Sequence, residues 1–203
     1  MAEMKFVAGS LCLDFVNTVG GRTGHRNIVL RDKLAGYLDL ATWSRLAGLS
    51  TGREARHLES AAERYPARAS ATLARAIRLR EALFRIYRTL LSRSEPDESD
   101  VDVLRNEIWI AKTHQRLVRT GRQFIWAWDQ AENSLDAPLW RVARSAADLL
   151  TSPDLAKLRL CSGDECGWMF LDTSRNHQRR WCDMKDCGNR AKVRRFRRKE
   201  NSK

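Results

Sequence analysis

The chain has 203 residues, 43% hydrophobic and 31% charged, with 37 Lys and Arg against 25 Asp and Glu and a formal net charge of +12. That balance allows one medium domain with a small appendage, or one larger domain, and excludes a wholly disordered chain. No stretch approaches the ~20 apolar residues of a membrane span, the N-terminus lacks the charged and apolar regions of a signal peptide, and the cationic excess points to a polyanionic partner: DNA, RNA or an anionic membrane surface.

A cytoplasmic, reducing location is therefore expected. The first element, LCLDFVNTV from Leu11 to Val19, is apolar with Asp14 and Asn17 embedded. Its spacing fits a helix and its shortness also fits a strand. Asp14, Asn17 and Thr18 are read first as local capping or turn residues, and second as contacts to an unknown small ligand in the N-terminal region. Asp39 is placed to cap a short helix carrying Leu40, Trp43 and Leu46, with Gly48 as its stop. Thr51 and Glu54 have capping-box spacing and start a helix running to about Arg64, ended by Pro66. The clearest helical period runs from Ala69 to Leu91 through Leu73, Ile77, Arg80, Phe84 and Tyr87. After the polar linker SRSEPDESD, Ser99 or Asp100 is expected to cap a helix whose apolar face is Val101, Leu104, Ile108 and Ala111.

At Gln115 the period changes. In QRLVRTGRQFIWAWD a Gly-containing turn separates two short runs, and Phe124, Trp126 and Trp128 alternate with Ile125 and Ala127. That is the pattern of a hairpin with an aromatic face. Trp126, Trp128 and Trp140 are expected to be core rather than the lining of a ligand pocket. DAPLWRVARSAADLL has Pro138 near its first turn and Leu139, Val142, Ala146 and Leu149 along one side, so it reads as a helix. Ser152 caps a short turn at SPDLAKL. A domain boundary is placed near Leu158, separating a mostly helical domain, residues 1–157, from a C-terminal segment, residues 158–203.

Four of the five cysteines fall in that segment: Cys161, Cys166, Cys182 and Cys187. CSGDECG and CDMKDCG both read C-x-x-x-[D/E]-C-G, a small internal repeat. Each pair suits a loop that turns two thiolates toward one ion, and the glycine that follows allows close backbone approach. Trp168 to Leu171 and Arg179 to Trp181 are expected to pair as one hairpin around TSRN, bringing the two cysteine pairs together. So small a segment cannot fold on buried apolar area alone. Four Zn–S bonds would supply about 10 kcal/mol or more, so a tetrahedral structural Zn2+ site is the favoured reading. A redox switch at Cys187 beside Arg190 and an iron–sulfur cluster are the alternatives. A catalytic zinc would need an open position that four thiolates do not leave. His177 is placed at the hairpin tip, away from the sulfurs, and Cys12 reads as a small buried hydrophobe.

From Arg175 onward there are twelve basic and three acidic residues. The second cysteine pair opens a helix in which Asn189, Arg190, Lys192, Arg194, Arg195, Arg197 and Arg198 are the candidate nucleic-acid-binding residues. Arg190, Arg194, Arg197 and Arg198 share one broad face, and Val193 and Phe196 are expected to turn toward the hairpin. Arginine holds phosphate bidentately and reads guanine edges. Partial disorder is expected beyond Lys199.

Three passages carry a family resemblance: DAPLWRVARSAADLLTSPDLAKLRLC, CGWMFLDTSRNHQRRWC and CGNRAKVRRFRRK. They resemble the bacterial CGNR zinc finger proteins, the name being spelled by Cys187, Gly188, Asn189 and Arg190. LCLDFVNT resembles the start of the domain that accompanies this finger, called ABATE. The resemblance implies a mainly α fold with short β-hairpins: an ABATE-like helical domain for signal sensing or dimerisation, then a treble-clef-like zinc finger. It also implies a stress-induced transcription regulator. The expected function is DNA binding through finger and basic helix, with a homodimer expected from the need for two half-sites. The alternatives are an RNA-binding module, with Trp168, Phe170 and Trp181 stacking bases, and a thiol-based redox sensor. No G-x-G-x-x-G, Walker A, G-x-S-x-G or H-E-x-x-H occurs, and His25, His57 and His114 have no partner spacing, so no enzyme is expected.

Overall fold

Residues 4–22, 31–129 and 134–200 are described by a computed structural model. His25 lies outside them, as do residues 201–203, on which most of the expected disorder of the tail falls. In chain order the elements are α1 (Leu11–Val16), β1 (Val19–Gly20), β2 (Arg31–Asp32), α2 (Tyr37–Leu46), α3 (Gly52–Arg64), α4 (Pro66–Leu91), α5 (Glu98–Thr113), β3 (Gln115–Thr120), β4 (Gln123–Trp128) and α6 (Ala137–Leu150). A 3-10 turn, Pro153–Lys157, then leads to β5 (Leu158–Leu160) and β6 (Met169–Leu171), and a π-helical turn, Met184–Gly188, to α7 (Asn189–Glu200). The strands form three separate antiparallel pairs among the described residues, so the fold is mainly α with short hairpins.

Local chemistry sets the helix ends. Thr51 and Glu54 form the capping box that starts α3: Thr51 N donates to Glu54 Oε2 at 2.6 Å and Glu54 N to Thr51 Oγ1 at 3.2 Å. Pro66 does more than end that helix, because it opens α4, where its missing N–H is one the first turn leaves unpaired anyway. α4 therefore begins three residues before Ala69. In α2 the N-cap is Gly36, and Asp39 reaches back from the first turn to accept from Gly36 N at 2.9 Å. Gly48, at φ +74, ends the helix in a conformation that suits glycine. Leu46 faces solvent. Asp97, not Ser99 or Asp100, caps α5, accepting from Ser99 N at 2.8 Å.

α4 is the central post, with α1, α2, α3, α5 and α6 packed around it. Its buried face includes Thr72, Ala76, Leu79, Leu83 and Ile86, while Leu73, Ile77 and Leu91 are half-buried. Phe15 of α1 meets Trp43 of α2 at a centroid distance of 5.0 Å. Acids also pair with arginines of α4, Glu107 and Asp100 from buried positions and Asp32 from the surface. Glu107 takes Arg75 at 3.0 and 2.8 Å, Asp100 takes Arg85, and Asp32 takes the fully buried Arg80 at 2.7 and 2.6 Å. A buried guanidinium without such partners would cost several kcal/mol, about the penalty of one uncompensated ion.

The expected hairpin β3–β4 forms, with Thr120 opposite Gln123 across the Gly121 turn, but its aromatic residues are not all core. Trp140 is buried and Trp128 half-buried, whereas Trp126 and Phe124 stand in solvent. Trp128 stacks near Trp140 (6.2 Å between centroids), which also takes His114 at 3.8 Å. Past that root residues 116–126 are all exposed.

Candidate metal centre and basic helix

β5 and β6 pair as Leu158↔Leu171, Arg159↔Phe170 and Leu160↔Met169, so Cys161 and Cys166 sit in the loop between them. The expected pairing of residues 168–171 with 179–181 does not form. Both sides of β6 are already taken: β5 lies on one, and on the other Leu171 N donates to Ala8 O at 2.8 Å. Asn17 completes that second side, donating from Nδ2 to Met169 O at 2.8 Å and accepting from Met169 N at Oδ1 at 2.9 Å. Residues 179–181 instead run alongside the first cysteine loop, where Ser162 N donates to Arg180 O at 2.9 Å.

This return still brings the sulfurs together. The four Sγ atoms of Cys161, Cys166, Cys182 and Cys187 lie within 4.8 Å of one another, and all four cysteines are buried. Cys166 and Cys182 are 3.6 Å apart and Cys182 and Cys187 3.7 Å. A tetrahedron of ~2.3 Å metal–sulfur bonds has edges of about 3.8 Å, so the donors fit a zinc-sized ion. Hydrogen bonds from Cys166 and Cys182 pull Cys161 far down, and the same bonds push Cys166 and Cys182 up. A divalent cation removes that conflict by stabilising every thiolate at once.

One loop glycine is required by shape. Gly167 has φ +68, and a side chain there would come within 2.4 Å of Arg22 O. A side chain at Gly188 would meet only the flexible, exposed end of Met184. Cys182 N donates to Cys161 Sγ at 3.3 Å, and the Arg190 guanidinium lies 3.2 Å from Cys187 Sγ. His177 Nδ1 lies 3.1 Å from Asp172 O and is not part of the sulfur cluster.

α7 starts directly from the second cysteine loop. Asn189, Arg190, Lys192, Arg195, Arg197 and Arg198 are exposed and Arg194 half-buried. The face formed by Arg190 and Arg194 turns toward the first cysteine loop, where Arg194 pairs with Asp164 at 3.1 Å. Val193 and Phe196 do not pack on the hairpin; they are 49% and 63% exposed, so the outward face of α7 mixes Lys192 and Arg195 with two apolar side chains, and Arg197, two turns beyond Arg190 on its side of the helix, is exposed as well. Trp168 and Phe170, by contrast, are buried and Trp181 half-buried, which removes them as a platform for bases.

The N-terminal polar cluster also has its bonds assigned. Asp14 Oδ1 accepts from Ala8 N at 3.0 Å and Thr18 donates to Phe15 O at 2.8 Å, both local, while Asn17 crosses the chain to β6. Burial pushes the Asp14 carboxyl up to about 6. Cys12 is fully buried, 3.2 Å from Tyr87 Oη, and burial raises its thiol.

The seam between the finger and the N-terminal segment also uses Lys5 and Val7, which lie in no motif. Lys5 pairs with Asp186 at 2.6 Å, Trp168 Nε1 donates to Val19 O at 2.9 Å, and Arg179 reaches Val7 O at 3.1 Å while lying 4.4 Å over the Phe170 ring. The N-terminal segment is thus the bed on which the finger lies.

A family model named ABATE and described as "Putative stress-induced transcription regulator" matches residues 9–153. A second, described as "CGNR zinc finger", matches residues 157–200. No curated protein matches the chain.

Proposed function

The chain belongs to the ABATE family and carries a CGNR zinc finger, and on that premise we propose that it is a zinc-dependent, DNA-binding transcription regulator of the cytoplasm. It acts by binding rather than by catalysis. Cys161, Cys166, Cys182 and Cys187 hold one Zn2+, which supplies the coordination bonds the small finger needs to fold. Four thiolates around Zn2+ leave a net negative site, which the Arg190 guanidinium and the Cys182 amide offset. The ion fixes the direction of α7. Lys192, Arg195 and Arg197 then meet phosphate, and Asn189 and Arg198, also exposed on the same helix, join them.

One observation carries this reading: four buried sulfurs are gathered at the start of a 12-residue helix whose outward face is basic. Among the described residues no helix is long and apolar enough to cross a membrane. A cleft of about 440 Å³ offers a place for an inducing small molecule. Ser10 of the N-terminal segment, Trp128 of β4, Arg141 and Ser145 of α6, and Leu171 of β6 line it. A ligand there would touch the helical body and the finger strand together.

The test measures metal and binding in one preparation. About one equivalent of zinc is expected, with tighter binding to duplex DNA than to RNA of equal length. Replacing Lys192, Arg195 and Arg197 by glutamine should flatten the log–log salt dependence by about 0.9 for each phosphate that is no longer neutralised. Preference for RNA, or an unchanged slope, overturns the assignment.

A further inference from the structure

The hairpin β3–β4 belongs to neither the finger nor the core. Residues paired directly across an antiparallel ladder share a face, so its register sorts the side chains. One face holds Leu117 opposite Trp126 and Arg119 opposite Phe124. Leu117, Phe124 and Trp126 are 58%, 64% and 61% exposed. Trp128 continues the same row and roots it against Trp140. A two-stranded hairpin is marginal in water, and one that exposes its aromatics is a surface awaiting a partner.

Charge identifies the partner. From Gln115 to Trp128 there are three arginines, Arg116, Arg119 and Arg122, and no acid. Arg116 pairs with Asp129. Arg119 donates from Nε to Gly121 O at 2.9 Å, and both Arg119 and Arg122 are exposed. A second copy of this face would offer those arginines no acid, since residues 115–128 contain none. An unpaired polynucleotide meets both features, because bases stack on aromatic rings and phosphates pair with guanidinium groups.

We propose that the β3–β4 hairpin is a second nucleic-acid site, which binds single-stranded DNA or RNA by stacking bases on Phe124 and Trp126 with Arg119 and Arg122 on the phosphates. It is independent of the finger reading, since it uses no residue of residues 158–203.

The experiment titrates the full-length, metal-loaded protein with labelled oligo-dT and oligo-U, and with a duplex of equal length, at fixed salt. The double variant F124S/W126S should weaken binding to at least one of the single strands at least tenfold. Its duplex affinity should stay within about twofold, with circular dichroism unchanged. Ultraviolet crosslinking of the wild type to oligo-dT or oligo-U should label the peptide containing residues 115–128. The relative loss on the two oligomers tells whether DNA or RNA is preferred. The proposal falls if neither single strand binds, or if the double variant binds both as well as the wild type. It also falls if light scattering shows a wild-type dimer that the variant converts to monomer with unchanged affinity, which would make the hairpin a self-association surface.

Discussion

Between Asp32 and Leu150 the buried set is extensive and includes large apolar side chains, Trp43, Leu79, Tyr87 and Trp140 among them. Past Cys161 the buried set shrinks to four cysteines, the strand from Trp168 to Leu171, Asp172 and Gly188. The helical body coheres by area, and the finger by a few sulfur atoms and a borrowed edge. That edge matters, because β6 is clamped from Ala8 and Asn17 and its three residues join the same apolar cluster as the body. The finger therefore divides: β6 belongs thermodynamically to the body, while residues beyond it depend on the ion.

Metal removal should break the comparison most visibly. Stripping the ion with a chelator forfeits about 10 kcal/mol or more of coordination. Limited proteolysis should then cut at Arg175, Arg179 or Arg180 and throughout α7, while the segment up to Leu171 stays intact. The body should keep a cooperative melt. Simultaneous loss of both regions would mean that the finger supports the body as well. Cys166→Ser should do the same without chelator and lose the bound metal.

Next in size is a change on the body side. Phe15→Ala removes a fully buried ring against Trp43 and should cost about 3–5 kcal/mol in denaturant unfolding. The metal content of the folded fraction should be unchanged. The clamp lies between the two regions. Asn17→Leu leaves Met169 N and O without partners inside the protein, for about 2–3 kcal/mol. The loss should be read at the Met169 amide by hydrogen exchange, which should speed up before the rest of α1 does.

A smaller effect sits beside the clamp. The Asp14 carboxyl is raised from 3.8 to about 6 because burial disfavours its charge. Between those values the folded protein holds a proton that the unfolded chain has released. Stability therefore falls as pH rises from about 4 to about 6 and stays lower above that, by roughly 2–3 kcal/mol in total. Asp14→Asn keeps an acceptor for Ala8 N and removes the charge. It should raise stability at pH 7 by about 1–2 kcal/mol and flatten this part of the pH profile. A variant as pH-dependent as the wild type would assign the slope to another group.

Legibility in the sequence followed the range of the interactions. Capping at Thr51 and Glu54, the turn at Gly121 and the four-cysteine repeat are local, and each left a spacing to read. The partner of β6 did not, because it depends on Ala8 and Asn17, some 150 positions away in the chain. The inward turn of Asp100 and Glu107 was hidden for the same reason: an acid on an apolar face makes sense only once Arg85 and Arg75 stand opposite. Alternation at Phe124, Trp126 and Trp128 gave the hairpin but not its exposure, since period two marks a face without saying what covers it. In α7, helical periodicity placed Arg190 and Arg194 together, and only the cysteine loop beside them shows that this face turns inward.

That last point yields the smallest prediction and the finest division between brace and contact. Arg194 and Asp164 form a half-exposed pair, and such pairs contribute about 0–1 kcal/mol after screening. Asp164→Asn should therefore change stability by less than about 1 kcal/mol. Its use lies in binding. If Arg194 braces α7 against the first cysteine loop, releasing it leaves the salt dependence of DNA binding unchanged, because no new phosphate is neutralised. That is the expected result, since Arg190 holds the same face of the helix against Cys187. A slope steeper by about 0.9 would instead mean that Arg194, once freed, swings out to a phosphate. The division of α7 into a face that mounts the helix and a face that meets the polyanion would then have to be redrawn one residue row further round.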